Sequence, residues 1–235
     1  MALSDFRDKL DHDGFVIVRD VLSESLRSEL VKAIEGSLSP SVAGVRELTR
    51  RVPLAGRLAE SPIIRALVEP VLGTQAKLVR AILFNKSETA NWQVAWHQDL
   101  AIAVRERVER EGFISWSNKD GVPHVQPPVD VLERMLNVRA HLDRADESNG
   151  ALWVAPGSHR LGRIPASDAA GTAQRLGKQL CTVDAGDVLL FRPLTLHASR
   201  KVTSAARPRR VIHLEFAGVS LPVPLAWAET DRRKK

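Results

Sequence analysis

The chain of 235 residues lacks tyrosine altogether and has a single cysteine, Cys181. One thiol excludes an intramolecular disulfide framework and a zinc site built from several thiolates, and it is typical of the reducing cytoplasm. Aromatic residues are few, at five tryptophans and six phenylalanines, so a surface on which nucleobases stack has little to build on. We expect a cytoplasmic protein for which nucleic acid is a disfavoured partner.

Long apolar runs are missing as well. No stretch approaches the roughly 18 apolar residues that cross a bilayer. Residues 1–15 carry acidic side chains where a secretory signal has a basic and then an apolar region. We therefore expect no membrane partner and no cleaved leader.

The charges are numerous and mixed in sign. Lysine and arginine total 34 against 28 aspartates and glutamates, and 44% of the residues are hydrophobic. This balance excludes intrinsic disorder and suffices for a core, so we expect a single domain over residues 1–235. Basic and acidic residues interleave, as over residues 105–111, which argues against a dedicated nucleic-acid surface despite the net charge of +6.

The first third of the chain is helical in pattern. Apolar residues recur at helical spacing over residues 23–34, with Ser23 as the expected N-cap and Gly36 as the expected end. A second helix is expected over residues 61–72, ending at Gly73.

The pattern then changes to short β-branched and apolar runs separated by turn residues. Such a series of short strands predicts a sandwich or barrel, here a mainly β fold with flanking helices. We expect a helical part over about 1–75, a β core over about 76–220 and an insertion within it over about 104–134. The predicted strands are 76–85, 92–103, 135–142, 151–155, 179–183, 187–192 and 209–218.

Two long segments interrupt the predicted strands. Residues 104–134 carry charges, a pair of prolines, Trp116 and His124, and a loop of this length inside a compact domain is typical of a lid or binding loop. Because lids often touch substrate, Trp116 and His124 are predicted substrate contacts. Residues 161–178 are rich in alanine, glycine and serine, and we expect a surface excursion there.

Three residues have the spacing of a metal site. His97 and Asp99 fall in the predicted strand 92–103, and residues i and i+2 of a strand project from the same face. His197, which follows the predicted strand 187–192, is a candidate third ligand. Two imidazoles and one carboxylate on one face of a metal leave the other positions open, which is the facial triad of non-haem Fe(II) oxygenases.

A histidine in a strand is more often a structural residue, so each of these residues alone is a weak indication. The combination is stronger, because Arg207, Arg209 and Arg210 lie 10 to 13 residues after His197. An arginine there presents a fork that matches a carboxylate, and an open Fe(II) site that activates oxygen commonly needs a dicarboxylate co-substrate. The other interpretation of these arginines is a solvated turn.

Six motifs follow one another along the chain. Each alone is common, but six in sequence are specific. They are Asp13-Gly-Phe-Val-Ile-Val-Arg19, Leu83-Phe-Asn-Lys86, Trp96-His-Gln-Asp-Leu100, Ser148-Asn-Gly-Ala-Leu152 with Pro156-Gly-Ser-His159, Ala185-Gly-Asp-Val-Leu189, and His197-Ala-Ser199 with Arg209-Arg210. With these motifs the chain resembles the phytanoyl-CoA dioxygenase family, Fe(II)- and 2-oxoglutarate-dependent oxygenases with a double-stranded β-helix core of the jelly-roll, cupin-like type.

The resemblance implies cofactors, ligands and a reaction. It implies Fe(II), 2-oxoglutarate as co-substrate and O2, with His97, Asp99 and His197 as the iron ligands. The implied reaction hydroxylates or otherwise oxidises an unactivated C–H bond and releases succinate and carbon dioxide. The aspartate favours hydroxylation, since halogenating members of the family carry a small residue in its place.

The resemblance also implies an arginine that binds 2-oxoglutarate, at the start of the strand after the distal histidine. Aligning that strand backwards from Phe216 gives Arg209, with Arg210 facing outward. This chain carries one extra residue between His197 and the arginine, so Arg207 and Arg210 stay open as alternatives.

The predicted strand 135–142 alternates apolar and polar residues. Because strand residues alternate between faces, its polar residues line the cavity if its apolar residues pack outward. The inward set is Asn137, Arg139 and His141, and the outward set is Val138, Ala140 and Leu142.

Arg139 stands where many relatives in the family have a bulky apolar or aromatic residue. A buried arginine is costly without an anionic partner. Either it contacts 2-oxoglutarate or an anionic group of the substrate, or it forms a structural salt bridge with Glu215. Asn137 is predicted with Arg139 on the cofactor side, and Gln93, in phase with the metal pair, and His141 are predicted substrate contacts.

The predicted function is a 2-oxoglutarate-dependent dioxygenase acting on a small, polar or anionic molecule. The family name does not transfer a substrate, because one fold serves many, and phytanoyl-CoA itself is not favoured. Two other interpretations stay open: a catalytically inactive metal- or ligand-binding barrel, and an oxygenase that modifies nucleic acid.

Overall fold

The computed structural model describes residues 3–39, 43–86, 91–202 and 209–229. The helices are α1 (Leu3–Asp13), α2 (Glu24–Ser37), α3 (Leu48–Arg51), α4 (Pro53–Ala59), α5 (Pro62–Leu72), α6 (Val129–Glu133) and α7 (Ala166–Leu176). The strands are β1 (Phe15–Val18), β2 (Gly44–Val45), β3 (Lys77–Lys86), β4 (Val94–His97), β5 (Ile102–Ala103), β6 (Ile114–Lys119), β7 (Val122–Gln126), β8 (Met135–His141), β9 (Leu152–Val154), β10 (Gln179–Leu180), β11 (Val188–Phe191), β12 (His197–Ser199) and β13 (Arg209–Ala217). Within these ranges, no helix combines the length and the hydropathy needed to cross a bilayer.

The strands form three antiparallel sheets. The major sheet has the order β1-β11-β8-β13-β3-β2, the second sheet β10-β9-β12-β4, and a small third sheet β5-β7-β6. Neighbouring strands in the two larger sheets are mostly distant in sequence, so the chain repeatedly crosses from one sheet to the other. The prediction of a mainly β, jelly-roll fold with flanking helices is confirmed, and the sheets do not close into a barrel.

The major sheet has one apolar face and one polar face. β8 lies between β11 and β13, and its apolar residues Val138 and Ala140 belong to the core that packs against the N-terminal helices. Side chains alternate along a strand, so the polar residues of β8 must face the opposite side, toward the second sheet. The predicted orientation of this strand is therefore correct, and it brings polar groups into the interior.

Apolar residues fill the space between the two larger sheets beside those polar groups. Phe15, Leu189 and Phe191 come from the major sheet, Leu152 and Val154 from the second sheet, and Cys181 and Val183 from the segment that follows β10. Burial of this cluster holds the sheets together and leaves the remaining space between them as a cavity.

Local signals determined the ends of the N-terminal helices. The Ser23 hydroxyl accepts the Leu26 N–H at the start of α2, and α5 ends at Gly73, whose φ of 84° lies in the left-handed region.

The expected end of the first helix at Gly36 is wrong. α2 continues to Ser37, and the Leu38 N–H still donates to the Ile34 carbonyl, because Gly36 does not adopt the positive φ that would end the helix there.

The predicted strand 92–103 divides into β4 and β5. The side-chain amide of Gln98 donates to the carbonyls of Gly162 and Leu194 at 2.8 and 2.7 Å, and the Asp99 N–H donates to the Pro193 carbonyl at 2.9 Å. These bonds replace sheet pairing after His97. Asp99 therefore lies beyond the strand rather than within it.

The two segments expected to be irregular both contain secondary structure. Residues 104–134 include the β6–β7 hairpin, whose tip is held by an ion pair of 2.6 Å between Asp120 and Arg46, and a lid role for this segment stays a prediction. Most residues of the segment 161–178 are exposed, in keeping with a surface excursion, but the segment contains a helix. α7 forms there, because Ala169 and Ala173, one helical turn apart, pack on a buried cluster.

Candidate functional site

Two histidines on neighbouring strands of the second sheet face one another. His97 ends β4, His197 begins β12, and the two residues pair directly across the strands, with ring centroids 4.2 Å apart. Asp99 Oδ1 lies 3.9 Å from His97 Nε2 and 3.8 Å from His197 Nε2. The structure therefore brings the three predicted ligands together, with one candidate ligand atom from each within 4.8 Å of the others.

Backbone carbonyls fix the orientation of both imidazoles. His97 Nδ1 lies 2.9 Å from the Ala95 carbonyl, and His197 Nδ1 lies 2.9 Å from the Thr195 carbonyl. Because a carbonyl oxygen only accepts, each Nδ1 carries the hydrogen and each Nε2 presents a lone pair. Burial lowers the pKa of His197 to about 4, so its imidazole is neutral near pH 7, the form that binds a metal.

Asp99 is held as a carboxylate. Burial alone would raise its pKa, but the nearby His197, His213, His97 and Arg80 lower the pKa of Asp99 to about 2. Its second oxygen, Oδ2, accepts the side-chain N–H of Asn137 at 2.8 Å. The structure thus places Asn137, predicted on the cofactor side of the cavity, directly against the candidate carboxylate ligand.

A cavity of about 190 Å³ opens beside the three residues. Residues of both larger sheets line it, and several of them are absent from the sequence prediction. The lining residues are Arg80, Phe84, Trp92, Val94, His97, Asp99, Arg139, Leu152, His197, Ser199, Arg209 and His213. The sequence could have indicated His213 as a lining residue, since it lies four residues after Arg209 and therefore on the same face of β13.

The three candidate arginines after His197 have different surroundings. Arg209 is buried and lines the cavity, and burial, with the nearby charge of Arg139, lowers its pKa to about 9. Arg210 points away from the cavity and donates to Asp143 and Glu35. Arg207 lies outside the described residues. The expected inward phase of Arg209 and outward phase of Arg210 match the structure.

Arg139 also lines the cavity, and it lacks the salt bridge proposed for it. Glu215 pairs instead with Arg80 at 2.7 Å and lies 3.2 Å from His213 Nε2. The Arg139 guanidinium lies over the Phe84 ring, 5.1 Å from its centroid. Burial lowers the pKa of Arg139 to about 10, so it is a cation near neutral pH.

Lys86 adds a third buried cation, which sequence reasoning missed. It is fully buried, and its Nζ donates to the Arg200 carbonyl at 2.5 Å and to Ser199 Oγ at 3.3 Å. Burial, Arg209 and Arg139 lower the pKa of Lys86 to about 8. The ammonium group is therefore close enough to the cavity to sense both arginines.

Gln93 does not face the cavity, so its predicted phase is wrong. Pairing shifts between β12 and β4, where His197 is opposite His97 but Ser199 is opposite Val94. The extra residue in β4 reverses the alternation, so Val94 lines the cavity while Gln93 is exposed and borders a separate depression.

The other three predicted substrate contacts are not among the cavity-lining residues. Trp116 lies on β6 beneath the Arg107 guanidinium. His124 is buried in the third sheet with its Nδ1 on the Val122 carbonyl, and burial lowers its pKa to about 4. His141 is buried on the inward face of β8. Contacts of these residues with substrate stay predictions.

The fold and the site define a jelly-roll chain with a His-Asp-His site in the space between its sheets. A family model described as phytanoyl-CoA dioxygenase (PhyH) matches residues 10–211. The chain belongs to the phytanoyl-CoA dioxygenase family. The ectoine dioxygenases of Sphingopyxis alaskensis and Bordetella bronchiseptica are each 24% identical over 166 residues, covering 64% of this chain and 47% of theirs. The chain thus spans about half the length of these curated relatives.

Solved structures share the fold. EctD from S. alaskensis with bound Fe superposes with a TM-score of 0.70 at 21% identity, covering 92% of this chain and 76% of that chain. EctD with 2-oxoglutarate and 5-hydroxyectoine gives 0.69 at 20% identity, with the same coverage. HygX from Streptomyces hygroscopicus with nickel and 2-oxoglutarate gives 0.66 at 16% identity, covering 91% and 86%.

Proposed function

We propose that this chain is a cytoplasmic Fe(II)- and 2-oxoglutarate-dependent dioxygenase. It hydroxylates, or otherwise oxidises, an unactivated C–H bond of a small polar or anionic molecule. The observation that carries the proposal is the convergence of His97, Asp99 and His197 on one cavity that also holds Arg209. Family membership and the Fe- and 2-oxoglutarate-bound relatives of the same fold support it.

The donor set fits Fe(II). Two neutral imidazole nitrogens and one carboxylate oxygen are the ligands of the facial triad, which leaves positions for other ligands. His97 Nε2 and His197 Nε2 both lie on the side of Asp99 Oδ1, while Oδ2 is occupied by Asn137. The three residues would hold the metal from one side, and the rest of the cavity would hold the reactants.

The chain's own residues then have separable tasks. The carbonyls of Ala95 and Thr195 keep both Nε2 atoms toward the metal position. Arg209 would bind a carboxylate of 2-oxoglutarate, because a buried guanidinium matches a carboxylate in a fork. Leu152 and Phe84 line the cavity and exclude water from the reacting groups.

Bound iron would supply the oxidation by O2. One oxygen atom would end in succinate, which forms from 2-oxoglutarate with loss of carbon dioxide, and the other would end in the substrate as a hydroxyl group. The protein's contribution is to hold the reactants and position the target carbon. The small-molecule class rests on relatives whose names give ectoine and 5-hydroxyectoine. Those molecules are not assigned to this chain.

The test is an anaerobic titration with Fe(II) and 2-oxoglutarate, following the weak visible charge-transfer band of the complex. We expect a band that His97→Ala abolishes and that requires far more 2-oxoglutarate in Arg209→Met. Arg210→Met is the matched control, since Arg210 bonds Asp143 and Glu35 outside the cavity. Absence of the band at saturating Fe(II) and 2-oxoglutarate would contradict the proposal.

The same preparation separates the other interpretations. A band without succinate formation in air would favour the inactive binding barrel. Nucleic-acid binding that weakens steeply with salt would favour an oxygenase acting on nucleic acid.

A further inference from the structure

Arg139 is a buried cation without a carboxylate of its own. Its side chain enters the cavity from the central strand β8, and only 5% of the residue is exposed. Its Nε has no hydrogen-bond partner, and among residues 3–39, 43–86, 91–202 and 209–229 no carboxylate forms an ion pair with it. The structure places it over the face of Phe84, and the charge of Asp99, which forms no ion pair with it, partly offsets the lowering of its pKa by burial.

The carboxylates nearby are already engaged. Glu215 pairs with Arg80 and His213, and Asp143 pairs with Arg210. One oxygen of Asp99 accepts a hydrogen bond from Asn137. A buried charge that lacks a partner is strongly unfavourable. An anionic ligand that enters the cavity would provide the missing partner for Arg139.

Arg139 and Arg209 line the same cavity from different strands and different register positions. Arg139 is opposite His213 in the pairing of β8 with β13, and Arg209 lies four residues before His213. At roughly 3.3 Å per strand residue, this offset is about 13 Å along the sheet. This offset separates backbone positions only, and the guanidiniums still lie close enough for Arg139 to lower the pKa of Arg209. The cavity therefore gathers two buried cations, and a single carboxylate would offset the charge of only one.

In the proposed function the co-substrate offsets the charge of only one of these cations. Of its two carboxylates, one binds Arg209 in the proposed function and the other belongs at the metal. Lys86 lies near the same region and adds positive charge. One distal carboxylate against three buried cations leaves positive charge for a further anionic group.

We propose that Arg139 binds a carboxylate or phosphate group of the substrate, so that the substrate class is a small anionic molecule. This inference rests on the proposed function and deepens it. The same oxyanion chemistry is present in the metal-end carboxylate of 2-oxoglutarate, so the experiment distinguishes the two sources.

The test uses the full chain loaded with Ni(II), which does not turn over, and saturated with 2-oxoglutarate. Calorimetric titration with inorganic phosphate and with acetate probes the second anion site. We expect binding of at least one anion, a loss of at least tenfold in affinity in Arg139→Met, and a smaller loss in Arg139→Lys. Arg134→Met is the matched control, because Arg134 is exposed and pairs with Asp130 outside the cavity.

The affinity for 2-oxoglutarate shows whether Arg139 binds the substrate or the co-substrate. We expect it to change less than threefold in Arg139→Met. A tenfold loss there, with phosphate competing against 2-oxoglutarate, would assign Arg139 to the co-substrate and overturn the inference. Anion binding that is absent, or equal in Arg139→Met, would overturn it as well, while intact 2-oxoglutarate binding would leave the proposed function standing. Failure to bind 2-oxoglutarate at all would overturn both.

Thermal unfolding of the ligand-free chain tests a purely structural role for Arg139. Removal of a buried charge without a partner should leave the melting temperature of Arg139→Met unchanged or raise it. A clear fall, with anion binding lost only through unfolding, would instead make Arg139 a structural residue. Arg139→Lys keeps the charge and allows the binding test if Arg139→Met fails to fold.

Discussion

Asn137 donates its side-chain N–H to Asp99 Oδ2 at 2.8 Å, while Asp99 Oδ1 faces both His97 and His197. The amide fixes the rotation of the carboxylate, so that one oxygen is left for a metal. Asn137 is 99% buried on β8, a position from which its amide has little freedom to leave. Asn137 is therefore a positioning residue for the candidate carboxylate ligand.

Asn137→Ala should weaken metal binding. Loss of a partner that orients a ligand typically costs about 10- to 100-fold in metal affinity. We expect at least a tenfold rise in the Kd for Fe(II), measured by anaerobic titration. Gln93→Ala is the control, because Gln93 is exposed outside the cavity. An unchanged Kd in a folded Asn137→Ala variant would show that the hydrogen bond does not position Asp99.

Glu215→Gln should destabilise the fold. Glu215 pairs with Arg80 at 2.7 Å, with side chains only 4% and 15% exposed, and removal of one partner of a buried pair typically costs about 3–5 kcal/mol. The free energy of unfolding, from urea titration, is the measurement. The double variant Arg80→Met/Glu215→Met should lose less, since it leaves no buried charge alone. Equal losses in both variants would contradict this explanation.

The affinity for 2-oxoglutarate should fall as the pH rises through 8. Burial, then Arg209 and Arg139, lower the pKa of Lys86 from 10.5 to about 8. The ammonium charge is present below that pH and lost above it, while both carboxylates of 2-oxoglutarate stay ionised. Lys86→Met should bind more weakly at pH 7 and should not show this change. A pH dependence that persists in Lys86→Met would assign it to another group.

Lys86 should also affect stability with a defined sign. Because its pKa is lower in the folded chain than the usual 10.5, the unfolded chain binds more protons between about pH 8 and 10. The contribution of Lys86 to the free energy of unfolding therefore rises with pH across this interval. The comparison of urea unfolding at pH 7.5 and 9.5, with Lys86→Met alongside, measures it.

Cys181 should not react with thiol reagents in the native chain. It is buried between the sheets, and burial raises the pKa of its thiol to about 12. The thiolate, which is the reactive form, is therefore scarce at pH 8. A disulfide exchange reagent should label Cys181 only after unfolding by urea. Rapid labelling of the folded chain would contradict the burial of this residue.

Local features of the chain were predictable because short-range physics determines them. Ser23 marks the start of α2, since its hydroxyl accepts a nearby backbone N–H. The alternation of β8 predicted which of its residues face the helices. The His-x-Asp spacing and the motif order predicted the three candidate metal ligands that the structure brings together.

Errors arose where an interaction depends on a distant part of the chain. The phase of Gln93 is reversed by an irregular pairing between β4 and β12, and no residue near Gln93 signals it. The helix α7 in the surface segment 161–178 was not predicted, since its packing on a buried cluster joins residues distant in sequence.

The sequence by itself therefore determined the mainly β fold, because strand alternation and caps are properties of neighbouring residues, and the resemblance of its ordered motifs to a known family identified the three candidate ligands. Only the tertiary structure decided that Glu215 pairs with Arg80, that Asn137 holds Asp99, and that Arg139 has no carboxylate partner within the described chain. These outcomes depend on which strands lie side by side. A buried charge pairs with a group that the sheet order brings close to it, and the spacing of the two residues in the sequence does not predict the distance between them in the fold.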